Sequence, residues 1–178
     1  MTVIAALVHE GKVYMGGDSA AVDRYQCVMI RKDPKVFQNG PFLIGFTSSF
    51  RMGQLLMGAT FTDPGNMDEF EYMRSKFVDV ARMALKDGGY VKVNDNREES
   101  GQFLVGFHGR IFMVDEDFHV GEPVDSFYAV GQGSQEALGA LYSAPEDRPP
   151  GESLVIAMSA AARYRSGVRP PFNIIKEP

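Results

Sequence analysis

The order of the short apolar strands and the helical segments is the feature that most constrains this chain. A run of strand patterns is followed by two helical patterns, and this order then occurs a second time. Single strands do not alternate with single helices, as they would in βαβ units. Strand runs followed by helix pairs predict antiparallel sheets that carry helices on their outer faces. We therefore expect an α+β fold of four layers, an αββα sandwich with two antiparallel sheets between two helix layers.

The predicted strands are short runs rich in β-branched and aromatic residues, each bounded by turn residues. They cover residues 2–9, 13–18, 35–37, 42–46, 101–108, 111–114, 127–130 and 171–175. The first two runs predict a hairpin around Glu10-Gly11-Lys12, and the next two predict another around Asn39-Gly40-Pro41. We expect these two neighbouring hairpins to form one antiparallel sheet. Residues 18–34 predict an irregular stretch and Asn94 to Ser100 a loop.

Helical spacing of apolar residues predicts four helices. They cover residues 49–60, 68–86, 134–143 and 152–165. In the longest one, Asp68 is the predicted N-cap and Gly88-Gly89 the predicted stop. The 178 residues are 44% apolar, which is enough for one continuous core without disulfides or a structural metal. The whole chain, residues 1–178, is therefore expected to be a single domain.

Charge and composition exclude several classes of function. The 18 basic and 23 acidic side chains give a net charge of −5, and no basic stripe is present, so a nucleic-acid partner is not expected. The apolar N-terminal run is interrupted far short of a membrane span. The lone Cys27 is typical of a reducing compartment, and we expect a cytoplasmic location. The three histidines have no cysteine or carboxylate at ligand spacing, so a metal site is not expected.

Thr2 has the chemistry of an N-terminal nucleophile. A small second residue normally allows Met1 to be removed, which would leave Thr2 with a free α-amine at the start of a strand. An α-amine with a pKa of ~7.7–8 is partly neutral near pH 7 and can accept the hydroxyl proton. A nearby ammonium would lower the pKa of both groups, and a carboxylate would hold that ammonium in place. Lys35 and Asp18 are the candidates, although by themselves Lys35 fits a solvated strand-end charge better and Asp18 a turn cap.

The sequence resembles the β-type subunits of proteasomes, and most of all the bacterial HslV peptidases. The resemblance extends over essentially the whole chain. It is carried by an ordered set of short motifs, none of which is specific alone. These motifs are Thr2-Val3-Ile4, Gly11-Lys12-Val13, Gly16-Gly17-Asp18-Ser19, Pro34-Lys35-Val36-Phe37, Ile44-Gly45-Phe46 and Val130-Gly131-Gln132-Gly133.

The resemblance implies a threonine-type endopeptidase that cleaves polypeptides inside a self-assembled ring chamber. It assigns Thr2 as the nucleophile, Lys35 as the charge that tunes it, and Asp18 as the partner of Lys35. Backbone N–H groups near Ser48 and Ser49 would stabilise the oxyanion. The turn Gly131-Gln132-Gly133 would lie beside the nucleophile. A homo-oligomeric ring and an ATPase unfoldase are the partners that the resemblance implies, and no cofactor is required.

Three departures from the family pattern keep other functions open. Serines stand near the oxyanion position, where the family usually has glycine. Gln132 replaces the serine of a Gly-Ser-Gly turn, and Tyr164 stands where an aspartate is expected. These changes favour a non-catalytic ring or scaffold subunit of the same fold. A small-molecule amidase of the wider N-terminal nucleophile superfamily is a third hypothesis.

Overall fold

The computed structural model describes residues 2–145 and 147–178. Two antiparallel sheets form its centre. The first contains β1 (Ile4–His9), β2 (Lys12–Gly17), β12 (Phe127–Val130) and β13 (Asn173–Lys176), in the order β12-β1-β2-β13. The second contains β5 (Val36–Asn39), β6 (Phe42–Phe46), β9 (Phe103–Phe107), β10 (Arg110–Val114) and β11 (Val120–Gly121), in the order β11-β10-β9-β6-β5.

Helices cover the outer face of each sheet. One layer contains α1 (Phe50–Gly58), α2 (Glu69–Tyr72), a π-helical segment (Met73–Phe77) and α3 (Val78–Asp87). The other contains α4 (Ser134–Tyr142) and α5 (Pro150–Tyr164). The predicted α+β class, with two sheets between helix layers, is confirmed.

The two-residue period of the strands produces three apolar layers. Ile4 and Ala6 of β1 pack against Leu43 and Leu104 in the core between the sheets. The alternate residues of β1 face α4 and α5, where Ala5 joins a cluster that includes residues of both helices. Successive side chains of a strand point to opposite faces, so strands covered on both sides are apolar throughout. For this reason the central strands appear in the sequence as continuous apolar runs.

The N-cap and the stop of the long helix are confirmed. Asp68 accepts a hydrogen bond from the backbone N–H of Glu71 at 2.9 Å, and Gly88 is the C-cap of α3. The sequence did not predict the π-helical segment between α2 and α3. Within the described residues, no helix has the length and apolar character needed to cross a bilayer.

Three predictions of local structure were wrong. The first two hairpins do not share a sheet, because β1 and β2 lie in one sheet while β5 and β6 lie in the facing sheet. The stretch 18–34 contains a two-stranded ribbon, β3 (Ala20–Val22) and β4 (Val28–Ile30). The stretch 94–100 contains part of another, β7 (Lys92–Asn94) and β8 (Arg97–Glu99). Both ribbons are short and lie outside the main sheets, so the periodic burial that identifies a strand is absent from their sequences.

Candidate active site

Thr2, Lys35 and Asp18 are in direct contact in the interior of the protein. The Nζ of Lys35 donates to the Thr2 Oγ1 at 2.7 Å and to the Asp18 Oδ1 at 2.8 Å. The three residues are 4%, 1% and 0% exposed, respectively. A charge this deeply buried is stable only when it is paired and hydrogen-bonded. Lys35 and Asp18 therefore form a buried ion pair, and the Lys35 ammonium also contacts the Thr2 hydroxyl.

Three strand ends place these side chains together. Thr2 precedes β1, Asp18 follows β2, and Lys35 precedes β5 in the facing sheet. Gly17 allows the close approach: a Cβ there would lie 2.9 Å from the Ile4 side chain and 3.5 Å from the Lys35 Cβ. The site therefore lies at one edge of the sandwich, between the two sheets.

The Asp18 carboxylate has four hydrogen-bond donors. Besides Lys35, the backbone N–H of Val3 donates to Oδ1 at 3.1 Å. The backbone N–H groups of Ala20 and Arg169 donate to Oδ2 at 2.9 and 3.3 Å. Hydrogen bonds to a carboxylate are among the stronger ones in proteins, so this network fixes the carboxylate in place.

Burial lowers the pKa of Lys35 below the ordinary lysine value, while the charge of Asp18 and its hydrogen bond oppose that shift. The ammonium of Lys35 is thus kept in an environment that disfavours its charge and is stabilised by one carboxylate. A cation held in this way strongly favours negative charge on the hydroxyl oxygen beside it.

A pocket opens beside the Thr2 hydroxyl. It encloses about 90 Å³ and is lined by Thr2, Lys35, residues 20–22 of β3 and residues 46–50. The aromatic rings of Phe46 and Phe50 pack edge to face, with centroids 5.7 Å apart. The pocket lining therefore combines two aromatic rings with the Thr2 hydroxyl and the Lys35 ammonium.

Ser48 and Ser49 lie in this pocket wall, in a tight turn. Ser48 has a φ of +59°, and the N–H of Ser49 donates to the Thr47 carbonyl at 2.6 Å. An i to i+2 bond around a residue of positive φ is a γ-turn, which is strained for any residue with a side chain. The Ser49 N–H is consequently engaged within the turn. The Ser48 N–H has no acceptor within residues 2–145 and 147–178.

The Gly131-Gln132-Gly133 turn contacts the backbone of Thr2. The Gly133 N–H donates to the Thr2 carbonyl at 3.2 Å. Gly131 has a φ of +94°, and a Cβ there would lie 2.5 Å from that carbonyl oxygen. Gln132 is exposed and is not part of the pocket beside Thr2. Tyr164, at the end of α5, is 76% exposed.

Two contributors to the site were missed from the sequence. Arg169 gives its backbone N–H to Asp18, and its guanidinium donates to the carbonyls that end α5. Phe50 lies between Lys35, whose Nζ is 5.8 Å from the ring centroid, and Arg31, whose Cζ is 4.0 Å from it. A contact through a backbone N–H leaves no signal in side-chain identity, and the Phe50 contact depends on how α1 packs. Within the described residues, no cluster of three potential metal ligands is present.

Comparison with solved structures identifies the fold. BPH from Thiobacillus denitrificans, in a complex with epoxomicin, superimposes with a TM-score of 0.78 at 21% identity, over 98% of this chain and 97% of that one. HslV from Trypanosoma brucei gives 0.70 at 17% identity, over 98% of both chains. Anbu, an ancestral β-subunit from Yersinia bercovieri, gives 0.71 at 12% identity, over 99% of this chain and 82% of that one.

The chain has the fold of the proteasome-type N-terminal nucleophile hydrolases. The resemblance seen in the sequence motifs is thus confirmed as a likeness of fold. No protein-family model matches the sequence, and no curated protein sequence matches it either. At these identities the proteasome-type fold is shared, while the chemistry has to be argued from the side chains of this chain.

Proposed function

We propose that this protein is a threonine-type endopeptidase whose nucleophile is the Thr2 hydroxyl. The observation that carries the proposal is the buried contact of the Thr2 Oγ1 with the Lys35 ammonium, 2.7 Å away. A structural lysine would satisfy itself with Asp18 and backbone carbonyls. This lysine instead directs a donor at a hydroxyl that also lines a pocket.

The reaction begins with removal of Met1, a step that lies outside the described residues. The freed α-amine of Thr2, in its neutral form, accepts the proton of Oγ1 as the oxygen attacks a peptide carbonyl carbon. The tetrahedral intermediate then collapses, and the leaving amine takes that proton. An ester between Oγ1 and the acyl group remains, and a water molecule hydrolyses it to regenerate the threonine. Lys35 stabilises negative charge on Oγ1 in each step, and Asp18 keeps Lys35 charged.

The Ser48 N–H is the proposed donor to the oxyanion. Ser49 was the other candidate, but its N–H is already bonded to Thr47. A single backbone donor would then combine with the Lys35 charge. Removal of one preorganised donor of this kind lowers the rate about 10²- to 10³-fold.

We propose polypeptides as the substrate class, and a ring of identical subunits as the assembly. An ATPase unfoldase is the proposed partner, by likeness to HslV alone, since no residue of this chain encodes it.

A non-catalytic scaffold is the second candidate. It is favoured by Ser48, Ser49 and Gln132, which we call the rim of the site. Ser48 is held at a positive φ, the Ser49 N–H is engaged, and Gln132 points to solvent. The engaged Ser49 N–H and the exposed Gln132 leave fewer groups that can act on a substrate, and the positive φ of Ser48 strains the turn that carries the remaining donor. A scaffold has no need for a free α-amine, so the state of the N-terminus separates the two functions.

Intact-mass measurement before and after treatment with epoxomicin tests the proposal. We expect the assembled protein to lack Met1 and to gain the mass of one inhibitor per chain, because an epoxyketone reacts with both the hydroxyl and the free α-amine. The Thr2→Ala variant is the control and should gain nothing. Retention of Met1 in the assembled wild-type protein, or the absence of an adduct, would favour the scaffold.

A further inference from the structure

Two separate segments hold the Thr2–Lys35–Asp18 site from the side of α4 and α5. The turn before α4 holds Thr2, because the Gly133 N–H donates to the Thr2 carbonyl at 3.2 Å. The turn after α5 holds Asp18, because the Arg169 N–H donates to its Oδ2 at 3.3 Å. The pairing of β1 with β2 and the bond from the Val3 N–H to Asp18 set the position of Thr2 relative to Asp18, and these two turns hold both residues from the outer side.

One ion pair joins the two turns. Glu136 lies in the first turn of α4, three residues after Gly133, and Arg165 is the C-cap of α5. The Arg165 Nη2 is 2.7 Å from the Glu136 Oε1. The Arg165 carbonyl in turn accepts from the Arg169 guanidinium at 2.9 Å. A continuous path of polar contacts thus runs from the turn that holds Thr2 to the residue that holds Asp18.

The Glu136–Arg165 ion pair is partly buried, and its polar atoms are incompletely partnered within the described residues. The Arg165 side chain is 34% exposed and that of Glu136 19%. Within the described residues, the Glu136 Oε2 and the Arg165 Nε are buried and have no hydrogen-bond partner. Arginine and a carboxylate can form two parallel bonds, whereas this pair makes a single close N–O contact.

We propose that Glu136 and Arg165 are positioning residues for the N-terminal nucleophile, acting as a clamp between the turn that holds Thr2 and the turn that holds Asp18. Neither side chain lines the pocket or contacts Thr2, Lys35 or Asp18. Their effect on the site is transmitted through the Gly133 and Arg169 N–H groups. The catalytic part of this inference rests on the proposed peptidase function, and the clamp itself does not.

Amide hydrogen exchange tests the clamp without any need for activity. Glu136→Gln removes the charge of this side chain and keeps its shape. Local opening of the two turns then no longer has to break an ion pair. We therefore expect the protection of the Gly133 and Arg169 amides to fall about tenfold. Glu122→Gln is the matched control, because its salt bridge to Arg110 is 2.6 Å long with side chains 31% and 32% exposed. The control should leave both amides unchanged. Unchanged protection of both amides in Glu136→Gln overturns the clamp, whatever the protein does to peptides.

Kinetics of the same variants test the link to catalysis. Misplacement of a nucleophile costs roughly 10- to 100-fold in rate, so kcat for a short fluorogenic peptide should fall by that range in Glu136→Gln while KM changes less than about twofold. Arg165→Lys keeps the positive charge and one contact to Glu136, and it should retain most of the wild-type kcat. The double variant Glu136→Gln/Arg165→Gln should lose no more than either single one. Wild-type turnover with altered amide exchange would refute the positioning role, whereas a wild-type protein without any turnover would refute only the peptidase function.

Discussion

The floor and the rim of the candidate site differ in how completely their polar groups are engaged. At the floor, the Asp18 carboxylate has four donors and the Lys35 Nζ bonds both Asp18 and Thr2. At the rim, the Ser48 N–H has no acceptor within the described residues, and Gln132 is exposed. The floor also retains the residues expected from the resemblance to proteasome subunits, whereas the rim contains the departures from it.

This difference separates two requirements of a catalytic site. A buried ion pair needs saturated hydrogen bonding, because each missing partner would leave an uncompensated charge. A surface that receives a substrate needs donors that are free until the substrate arrives. The unengaged N–H of Ser48 fits the second requirement, and the saturated floor fits the first.

The largest expected effect is that of Thr2→Ala at the floor. Loss of the hydroxyl removes the nucleophile, so hydrolysis of a fluorogenic peptide should fall to the uncatalysed background, a loss of at least about 10⁴-fold. Assembly should be unchanged, because within the described residues the hydroxyl bonds only Lys35. Light scattering checks assembly, and Thr2→Ser is the control that keeps a hydroxyl. Undiminished hydrolysis by purified Thr2→Ala would rule out Thr2 as the nucleophile.

The second-largest effect is expected for Lys35 and Asp18, which should act as one unit. Lys35→Met removes the ammonium that stabilises negative charge on Oγ1, and we expect turnover to fall about 10³-fold. Asp18→Asn should cost a comparable factor, because the two residues act through one contact. The double variant should then cost much less than the product of the single losses. Turnover of all four proteins gives the cycle, after circular dichroism has shown that each is folded, and independent losses would mean that Lys35 and Asp18 do not act together.

A shift in pH dependence is the third expected effect. Burial lowers the pKa of Lys35, so activity that requires its ammonium should decline on the alkaline side before the ordinary lysine value of ~10.4 is reached. Asp18 opposes this shift, and Asp18→Asn should move the alkaline limb to lower pH. Because the unfolded chain binds the lysine proton more tightly than the folded one, the free energy of unfolding should rise with pH across the interval between the two pKa values. A pH–rate profile measures the first trend, and urea unfolding at several pH values measures the second. If the alkaline decline in activity occurs at the same pH in Asp18→Asn as in the wild type, Lys35 is not its origin.

The smallest expected effects are at the rim. Ser48→Gly removes the side chain from a residue with a φ of +59°, which relieves strain but adds freedom to the unfolded chain. We expect the free energy of unfolding to change by less than ~1 kcal/mol and turnover to rise a few-fold at most. Gln132→Ala should change turnover less than about twofold, since its side chain is exposed. A tenfold loss in either variant would show that the rim already has its catalytic geometry.

The amino-acid sequence by itself determined the layer order and the members of the floor. Strand runs and helix pairs are local patterns, and the N-cap at Asp68 acts within one turn, so both could be predicted without tertiary information. By their side-chain chemistry alone, Thr2, Asp18 and Lys35 also fit ordinary structural roles. Their resemblance to a known family selected them from many similar residues.

Only the tertiary structure decided which strands face each other and which backbone groups reach the site. The first two hairpins are neighbours in sequence but lie in opposite sheets, because each strand pairs where its two apolar faces can both be covered. The Arg169 N–H reaches Asp18 across 151 residues, and the Ser49 N–H turns back onto Thr47. Backbone donors are the same in every residue except proline, so their use is set by the path of the chain in space and leaves no trace in residue type.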